Sequence, residues 1–132
     1  ESKYTFNTWR PVTAIRGADM AHNKGIKADA NWEPLLVTPP HPEYGCAHCI
    51  AAGAAVAVLR KFSGGDKIAA SYVYPTLGVS RKWSSLSQIT KEMEDARVWG
   101  GVHFRTASEH GTQVGRQIAD YGLNTHLQPV SN

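Results

Sequence analysis

The longest apolar stretch of the chain runs from Cys46 to Phe62, CAHCIAAGAAVAVLRKF, and is almost free of polar residues. A stretch of this length without a one-sided polar pattern predicts a helix that is buried on every face. Its alanines and Gly53 would permit a second helix to approach closely. Residues 63–66, Ser-Gly-Gly-Asp, predict the end of this helix, with Gly64 near the C′ position.

Two later segments have the period of amphipathic helices. The first is predicted to begin at Ser84 or Ser85 and to end at the glycine pair 100–101. Its apolar positions are Leu86, Ile89, Met93 and Val98. The second is predicted from about Thr106 to Tyr121, with Gly122 as its stop.

The rest of the chain carries weaker signals. No capping residue precedes the first apolar positions, so the chain starts as if inside a helix, which Pro11 would end at about Trp9. From Val12 to Tyr44, frequent Gly and Pro predict one long loop, and such loops are often functional. The run SYVYPTLGV is β-like, but Pro75 reduces it to an irregular or edge segment. The coarse prediction is therefore an all-α fold.

Composition and charge narrow the class of protein. With 132 residues, 42% of them hydrophobic, the chain suits one globular domain over residues 1–132. Its net charge of +3 is spread along the sequence, which favours a small anionic ligand over a nucleic acid. No stretch approaches the ~20 apolar residues of a membrane span. We expect a soluble protein without a nucleic-acid or membrane role, and its compartment stays open, secretion included.

Cys46 and Cys49 form a CxxC pair with four interpretations: two buried thiols, a local disulfide, a redox pair or half of a metal site. A structural zinc site normally needs four N or S ligands, and only His48 lies nearby. A redox CxxC usually sits in a βαβ context, which is not predicted here. We expect buried thiols first, a local disulfide second and a metal site last.

Three short segments hold the residues with the most chemistry: Lys3 with Arg10, residues 45–48 at the start of the long helix, and Arg97 with His103. Each is weak alone, because a lysine is usually a surface residue and an arginine near a helix end can simply complement the dipole. Together they offer one ammonium, two guanidinium groups, two imidazoles and a helix N-terminus. Arginine binds two oxygens at once, and a helix start favours negative charge. The set predicts an oxyanion site.

The same segments, KYTFNTWRP, HPEYGCAHC and ARVWGGVHF, resemble the three signature segments of the superfamily of vanadium-dependent haloperoxidases and type 2 phosphatidic acid phosphatases. Those segments are Lys-x6-Arg-Pro, Pro-Ser-Gly-His and Ser-Arg-x5-His-x3-Asp, in this order. The resemblance covers about residues 3–122, and the flanks look most like the soluble haloperoxidase branch. It implies a helical bundle of that type without the helices that precede the lysine in the family. We therefore expect a homo-oligomer or a separate N-terminal chain.

The resemblance also implies roles for individual residues. His103 would bond to vanadium, or attack phosphorus in a phosphatase, and His48 would be the acid–base group. Arg16 and His41 are expected equally in the pocket or in loop contacts. The cofactor would be vanadate, with phosphate or sulfate as substitutes, and the substrates hydrogen peroxide with halide, or a phosphate ester. The remaining implied ligands of the anion are Lys3, Arg10, Cys46, Ala47 and Arg97.

The chain departs from the family pattern at five positions. Cys46 replaces a Ser that donates to the oxyanion, and a thiol is a weaker donor. Ala47 replaces a Gly whose amide faces the anion. Ala107 replaces the last Asp, which helps to orient the site, and the nearby Glu109 is our candidate substitute for it. The other two departures are Gly45 for Pro and Ala96 for Ser.

These observations lead to three hypotheses. The first is a vanadate-dependent haloperoxidase, supported by the haloperoxidase-like flanks. The second is a soluble acid phosphatase that works through a phosphohistidine at His103. The third is a non-enzymatic storage, defence or ligand-binding protein with a decayed site, motivated by Cys46, Ala47 and Ala107.

Overall fold

The computed structural model describes residues 1–126 and residue 128. Its elements are predominantly helical, which confirms the predicted fold class. A five-residue helix and a six-residue helix open the chain, and three longer helices form the packed body together with one small hairpin. In chain order the helices are α1 (Ser2–Phe6), α2 (Pro11–Arg16), α3 (Ala47–Ser63), α4 (Leu86–Trp99) and α5 (Arg105–Thr125).

The body is formed by α3 packed against α5, with α4 beside both. Glycines of α5 allow it to approach α3 closely. A Cβ added to Gly115 would lie 2.1 Å from the carbonyl oxygen of Ile50, and a Cβ added to Gly111 would lie 2.9 Å from the carbonyl oxygen of Cys46. The close approach that we expected from the composition of α3 is thus confirmed. It places the middle of α5 against the N-terminal turns of α3.

The prediction that α3 is buried on every face is wrong for the described part of the chain. Cys49, Gly53 and Val56 are buried, but Leu59 is 51% exposed and Phe62 is 76% exposed. The reason is that α4 and α5 cover α3 on one side, and the described residues offer no element that covers the other.

The β-like run, predicted as an irregular or edge segment, forms a regular two-stranded hairpin, so both of its strands are edge strands. Strand β1 (Ala70–Tyr74) pairs antiparallel with β2 (Val79–Trp83), in a register from Ala70 opposite Trp83 to Tyr74 opposite Val79. Pro75 lies in the connecting turn, where its missing N–H leaves no hydrogen bond of the ladder unmade. Gly78, at φ +63°, completes that turn.

Two helix boundaries also differ from prediction. Pro11 starts α2 instead of only ending a helix, because proline lacks the N–H that is unpaired at a first helical position anyway. The predicted loop from Val12 therefore begins with helix, followed by a 3₁₀ turn at Ala18–Ala21. At the other end, α5 continues through Gly122 to Thr125, since glycine permits but does not require a helix stop.

The start of α4 is fixed by a residue from outside the helix. Ser85 occupies the N-cap position, as predicted, but its side chain makes no capping hydrogen bond. Instead Asp66 accepts hydrogen bonds from the Ser87 amide at 3.0 Å and the Ser87 hydroxyl at 2.7 Å. The pKa of Asp66 is lowered, chiefly by the Ser87 hydroxyl. None of the helices in the described residues is long and apolar enough to cross a bilayer.

Candidate functional site

Arg10 lies at the centre of the candidate site and joins three segments of the chain. It is the N-cap residue of α2 and is buried. Its Nε donates to the carbonyl oxygen of His41 at 3.0 Å, and its Nη1 donates to that of Val102 at 2.7 Å. The guanidinium also reaches two imidazole nitrogens, Nδ1 of His41 at 3.0 Å and Nε2 of His103 at 3.2 Å. Two predicted site residues, Arg10 and His103, are thus in contact, and His41 belongs beside them.

His103 is held between a cation and a carboxylate. Its Nδ1 lies 2.7 Å from Oε1 of Glu43, opposite the Arg10 contact at Nε2. A guanidinium can only donate, so Nε2 must accept and Nδ1 must carry the hydrogen that Glu43 accepts. The same Oε1 accepts from the backbone amide of Phe104 at 3.0 Å. The imidazole is therefore oriented as a neutral ring whose Nε2 lone pair faces the cations.

Electrostatics agree with a neutral His103. Burial is the main cause that lowers its pKa, and the charges of Arg10 and Lys3 lower the pKa further. The hydrogen bond and charge of Glu43 act in the opposite direction but do not outweigh burial. A neutral imidazole is the form that can bond to a metal or act as a nucleophile.

Lys3 is fixed by the loop that precedes α3. Its Nζ donates to the carbonyl oxygens of Pro42, Glu43 and Gly45, at 3.3, 3.1 and 2.6 Å. The pKa of Lys3 is lowered, first by burial and then by Arg10, while Glu43 raises it. All three N–H bonds of the ammonium have an acceptor. Lys3 therefore contributes positive charge to the candidate site and holds the loop before α3 against its own segment.

Arg97, in the last turn of α4, carries the least satisfied charge of the site. Its Nε is buried and has no hydrogen-bond partner among the described residues. Burial lowers the pKa of Arg97, and its charge lowers the pKa of Arg10 and that of His48. The amides of Val102 and His103 donate to the Arg97 carbonyl, at 3.3 and 3.2 Å. The backbone of Arg97 is therefore tied directly to His103.

The start of α3 carries the CxxC pair as a disulfide between Cys46 and Cys49, so our first expectation, two buried thiols, is wrong. Cys46 also has no S–H to donate to an anion. Its sulfur instead accepts from the Cys49 amide at 3.1 Å, as an N-cap. Ala47 and His48 are the first two residues of α3, and their amides have no acceptor within the described residues. They remain available to an anion at the helix N-terminus.

His48 lies at this helix start with an exposed side chain. Its pKa is lowered, first by desolvation and then by the charge of Arg97. The influence of Arg97 means that α3 and α4 bring these two predicted site residues within electrostatic reach of each other. His48 is therefore neutral at neutral pH and close to a cation, which suits an acid–base group.

Glu43 is the residue of this site that the sequence analysis missed. It is buried, with 2% of its surface exposed, and it is the acidic residue within the segment HPEYGCAHC. That position was the available signal. The predicted substitute Glu109 lies on the exposed face of α5 and does not fill this role. Arg16 is also outside the site, because it pairs with Glu33 and with the carbonyl oxygen of Trp32.

Solved structures with a similar fold come from bacterial vanadium-dependent enzymes. A bacterial vanadium-dependent iodoperoxidase has a TM-score of 0.82 and 32% sequence identity, over 98% of this chain and 30% of that chain. A bacterial vanadium-dependent chloroperoxidase has TM-scores of 0.72 in its holo form and 0.68 in its apo form. The holo form is 27% identical in sequence, over 90% of this chain and 30% of the chloroperoxidase chain. The apo form is 25% identical, over 84% of this chain and 29% of the chloroperoxidase chain. The present chain thus spans under a third of these structures.

No curated protein matches the chain. A family model described as the VCPO second helical-bundle domain matches residues 1–132, the whole sequence. Together with the iodoperoxidase match, this confirms the superfamily that the three ordered motifs indicated. The chain belongs to the family of the VCPO second helical-bundle domain, within the vanadium haloperoxidase superfamily.

Proposed function

We propose that this chain binds vanadate among Lys3, Arg10, Arg97, His103 and the N-terminus of α3, and that it contributes this site to a haloperoxidase. The observation that carries the proposal is the buried Nε of Arg97, which has no acceptor among the described residues. An unsatisfied buried donor costs roughly 1–3 kcal/mol, and more when the group is charged. A bound oxyanion would remove that cost.

The charge balance supports an anion as the ligand. Lys3, Arg10 and Arg97 all have lowered pKa values in which burial is the leading cause. Glu43 is the carboxylate that raises the pKa of the first two, and the three cations exceed it in charge. A small polyanion beside them would compensate this excess, and the free amides at the start of α3 would add neutral donors.

The residues fit vanadate in chemistry as well as in charge. His103 would bond to the metal through Nε2, the two guanidinium groups would hold anion oxygens, and His48 would exchange a proton with a bound oxygen or with peroxide. When bound, vanadate would supply Lewis acidity that activates hydrogen peroxide toward halide without a change of metal oxidation state. The net reaction joins halide, hydrogen peroxide and a proton to give hypohalous acid and water.

Binding requires one local exchange of partners. Arg10 Nη1 donates to His103 Nε2, and a bond from His103 to vanadium would need the same lone pair. Arg10 would turn this N–H to an anion oxygen, while its bonds to His41 and Val102 hold the guanidinium in place.

The acid-phosphatase hypothesis draws on the same neutral His103. An Nε2 lone pair that faces cations suits attack on phosphorus, with His48 protonating the leaving group. The haloperoxidase hypothesis ranks first because the similar solved structures are vanadium-dependent peroxidases. The third hypothesis, binding without turnover, draws on the disulfide, which removes one donor at Cys46.

Binding of vanadate, and separately of phosphate, is the first test and can be followed by isothermal titration calorimetry. We expect saturable binding with one site per chain, lost in His103→Ala for vanadate and retained in Lys24→Met, which removes a charge from an exposed loop. Absence of vanadate binding by the unmodified chain would overturn the proposal.

Turnover is the second test. Iodide oxidation with vanadate and hydrogen peroxide should follow vanadate loading and disappear in His103→Ala. Hydrolysis of p-nitrophenyl phosphate that is inhibited by vanadate would favour the phosphatase instead. Tight binding with neither reaction would favour the non-enzymatic hypothesis.

A further inference from the structure

We propose that Glu43 is the positioning residue for His103, and that it replaces from another segment the carboxylate that the family carries at the position of Ala107. The inference rests on the proposed function only in its consequence for vanadate binding. Its structural content, the orientation and tautomer of His103, stands without a ligand.

The geometry gives Glu43 one specific task. A single oxygen, Oε1, accepts from both His103 Nδ1 and the Phe104 amide, at 2.7 and 3.0 Å. Phe104 is the N-cap residue of α5, so these two bonds lock the imidazole ring to the start of that helix. The ring cannot rotate to present Nδ1 to the anion without breaking a buried hydrogen bond to a charged acceptor.

Glu43 is itself fixed at its backbone. Its amide donates to the carbonyl oxygen of Thr8 at 3.0 Å, and its carbonyl accepts from Lys3 Nζ at 3.1 Å. Both partners belong to the first motif segment, between Lys3 and Arg10. Glu43 therefore links all three motifs: it belongs to the loop before α3, its backbone contacts the lysine segment and its carboxylate contacts the histidine before α5.

Ala107 explains why the carboxylate has to come from elsewhere. It lies one turn after His103, is 2% exposed and carries no polar side-chain atom. Glu109 is on the exposed face of α5. Among the described residues, Glu43 is the one whose carboxylate accepts the hydrogen bond from His103 Nδ1. A carboxylate that accepts a hydrogen bond from one nitrogen of a metal-binding histidine fixes the tautomer of the ring and makes its other nitrogen a better ligand.

The first measurement is a long-range ¹⁵N–¹H NMR spectrum of the ligand-free protein, with His103→Gln used to assign the ring. We expect the neutral tautomer with hydrogen on Nδ1. Hydrogen on Nε2 in the wild-type chain would overturn the inference, and this result does not depend on whether the chain binds vanadate or turns over halide.

The second measurement compares vanadate affinity in Glu43→Gln, Glu109→Gln and the double variant Glu43→Gln/Ala107→Asp. Loss of a carboxylate that orients a metal ligand typically weakens binding about 10- to 100-fold. Vanadate affinity should therefore fall in Glu43→Gln, stay unchanged in Glu109→Gln and recover in the double variant.

Unchanged affinity in a folded Glu43→Gln protein would overturn the inference. If that variant does not fold, the wild-type tautomer decides the question. A wild-type chain that has the expected tautomer but binds no vanadate would refute the proposed function and leave the positioning role intact.

Discussion

Gly53 of α3 lies directly against Thr112 of α5: a Cβ added to the glycine would stand 2.3 Å from the Thr112 carbonyl oxygen. Backbone cannot yield as the tip of a flexible side chain can, so this contact sets the separation of the two helices. Helix α3 begins at Ala47, one residue before His48, and α5 begins two residues after His103. The glycine contact thus helps to hold the two histidines of the proposed anion site at a fixed separation.

Gly53→Ala should therefore destabilise the protein, although alanine is the better helix former by about 1 kcal/mol. Overpacking of a close helix contact costs typically about 1–3 kcal/mol. Urea unfolding would measure the change. Gly122→Ala is the matched control, because Gly122 also lies inside a helix, α5, but a Cβ there meets nothing within 4 Å. Equal stability of the two variants would show that the helices can move apart freely.

Arg97→Met should change stability and anion affinity in opposite senses. Removing a guanidinium whose buried Nε lacks an acceptor among the described residues should leave the melting temperature of the ligand-free protein unchanged or raise it. Phosphate affinity should fall about 10- to 100-fold, since a charged hydrogen bond contributes about 1.5–3 kcal/mol. Thermal unfolding with and without phosphate gives both values. A large loss of ligand-free stability would instead mean that Arg97 has a structural partner.

Stability should fall as the pH is lowered below the ordinary histidine pKa of about 6.5. Burial is the first cause that lowers the pKa of His103, and desolvation is the first that lowers the pKa of His48. In the window between those lowered values and 6.5, the unfolded chain binds protons that the folded chain does not, so the free energy of unfolding decreases as the pH falls.

This dependence can be measured by urea unfolding between pH 8 and pH 5. His103→Asn should flatten the decrease, whereas His22→Asn, in an exposed loop, should leave it in place. A curve for His103→Asn that runs parallel to wild type would contradict the assignment of His103 as a buried neutral group.

The double variant Cys46→Ser/Cys49→Ala should bind phosphate more tightly than the wild type. It replaces a disulfide sulfur, which has no hydrogen to donate, with a hydroxyl that can donate beside the amides of Ala47 and His48. A hydrogen bond to a charged group of about 1.4 kcal/mol corresponds to tenfold in affinity. Cys46→Ala/Cys49→Ala removes the disulfide without adding a donor and should show no gain. Equal affinity of both variants would exclude a donor role at this position.

The three long helices and the three motif segments could be recognised in the sequence because both signals are local. Leu86, Ile89 and Met93 repeat at helical spacing, and α4 forms where they do. The separation of Lys3 from Arg10 and of Arg97 from His103 is likewise a property of short segments. The one-sided burial of α3 is not local, since it depends on which helices pack against that segment.

The role of Glu43 and the disulfide could not be predicted from local sequence signals, for different reasons. The contact of Glu43 with His103 spans 60 positions, and a single acidic residue in a loop gives no sign of so distant a partner. The spacing of Cys46 and Cys49 is compatible with thiols, a disulfide or a metal, and only their positions in space decide between them. The regular pairing of the hairpin was not predicted, because Pro75 lies in the turn and not in the ladder.

The Cys46–Cys49 bond has a practical consequence for work with this protein. A dithiol reductant in the buffer would return two thiols at the start of α3, and a thiol exposed to hydrogen peroxide passes to sulfenic acid and beyond. Protein handled in that way would consume hydrogen peroxide in proportion to its own concentration, because the sulfenic acid at one cysteine condenses with the other thiol, releases water and re-forms the disulfide. The oxidised chain has no free cysteine among its described residues, so preparations kept free of reductant are the ones in which peroxide consumption reports on halide oxidation.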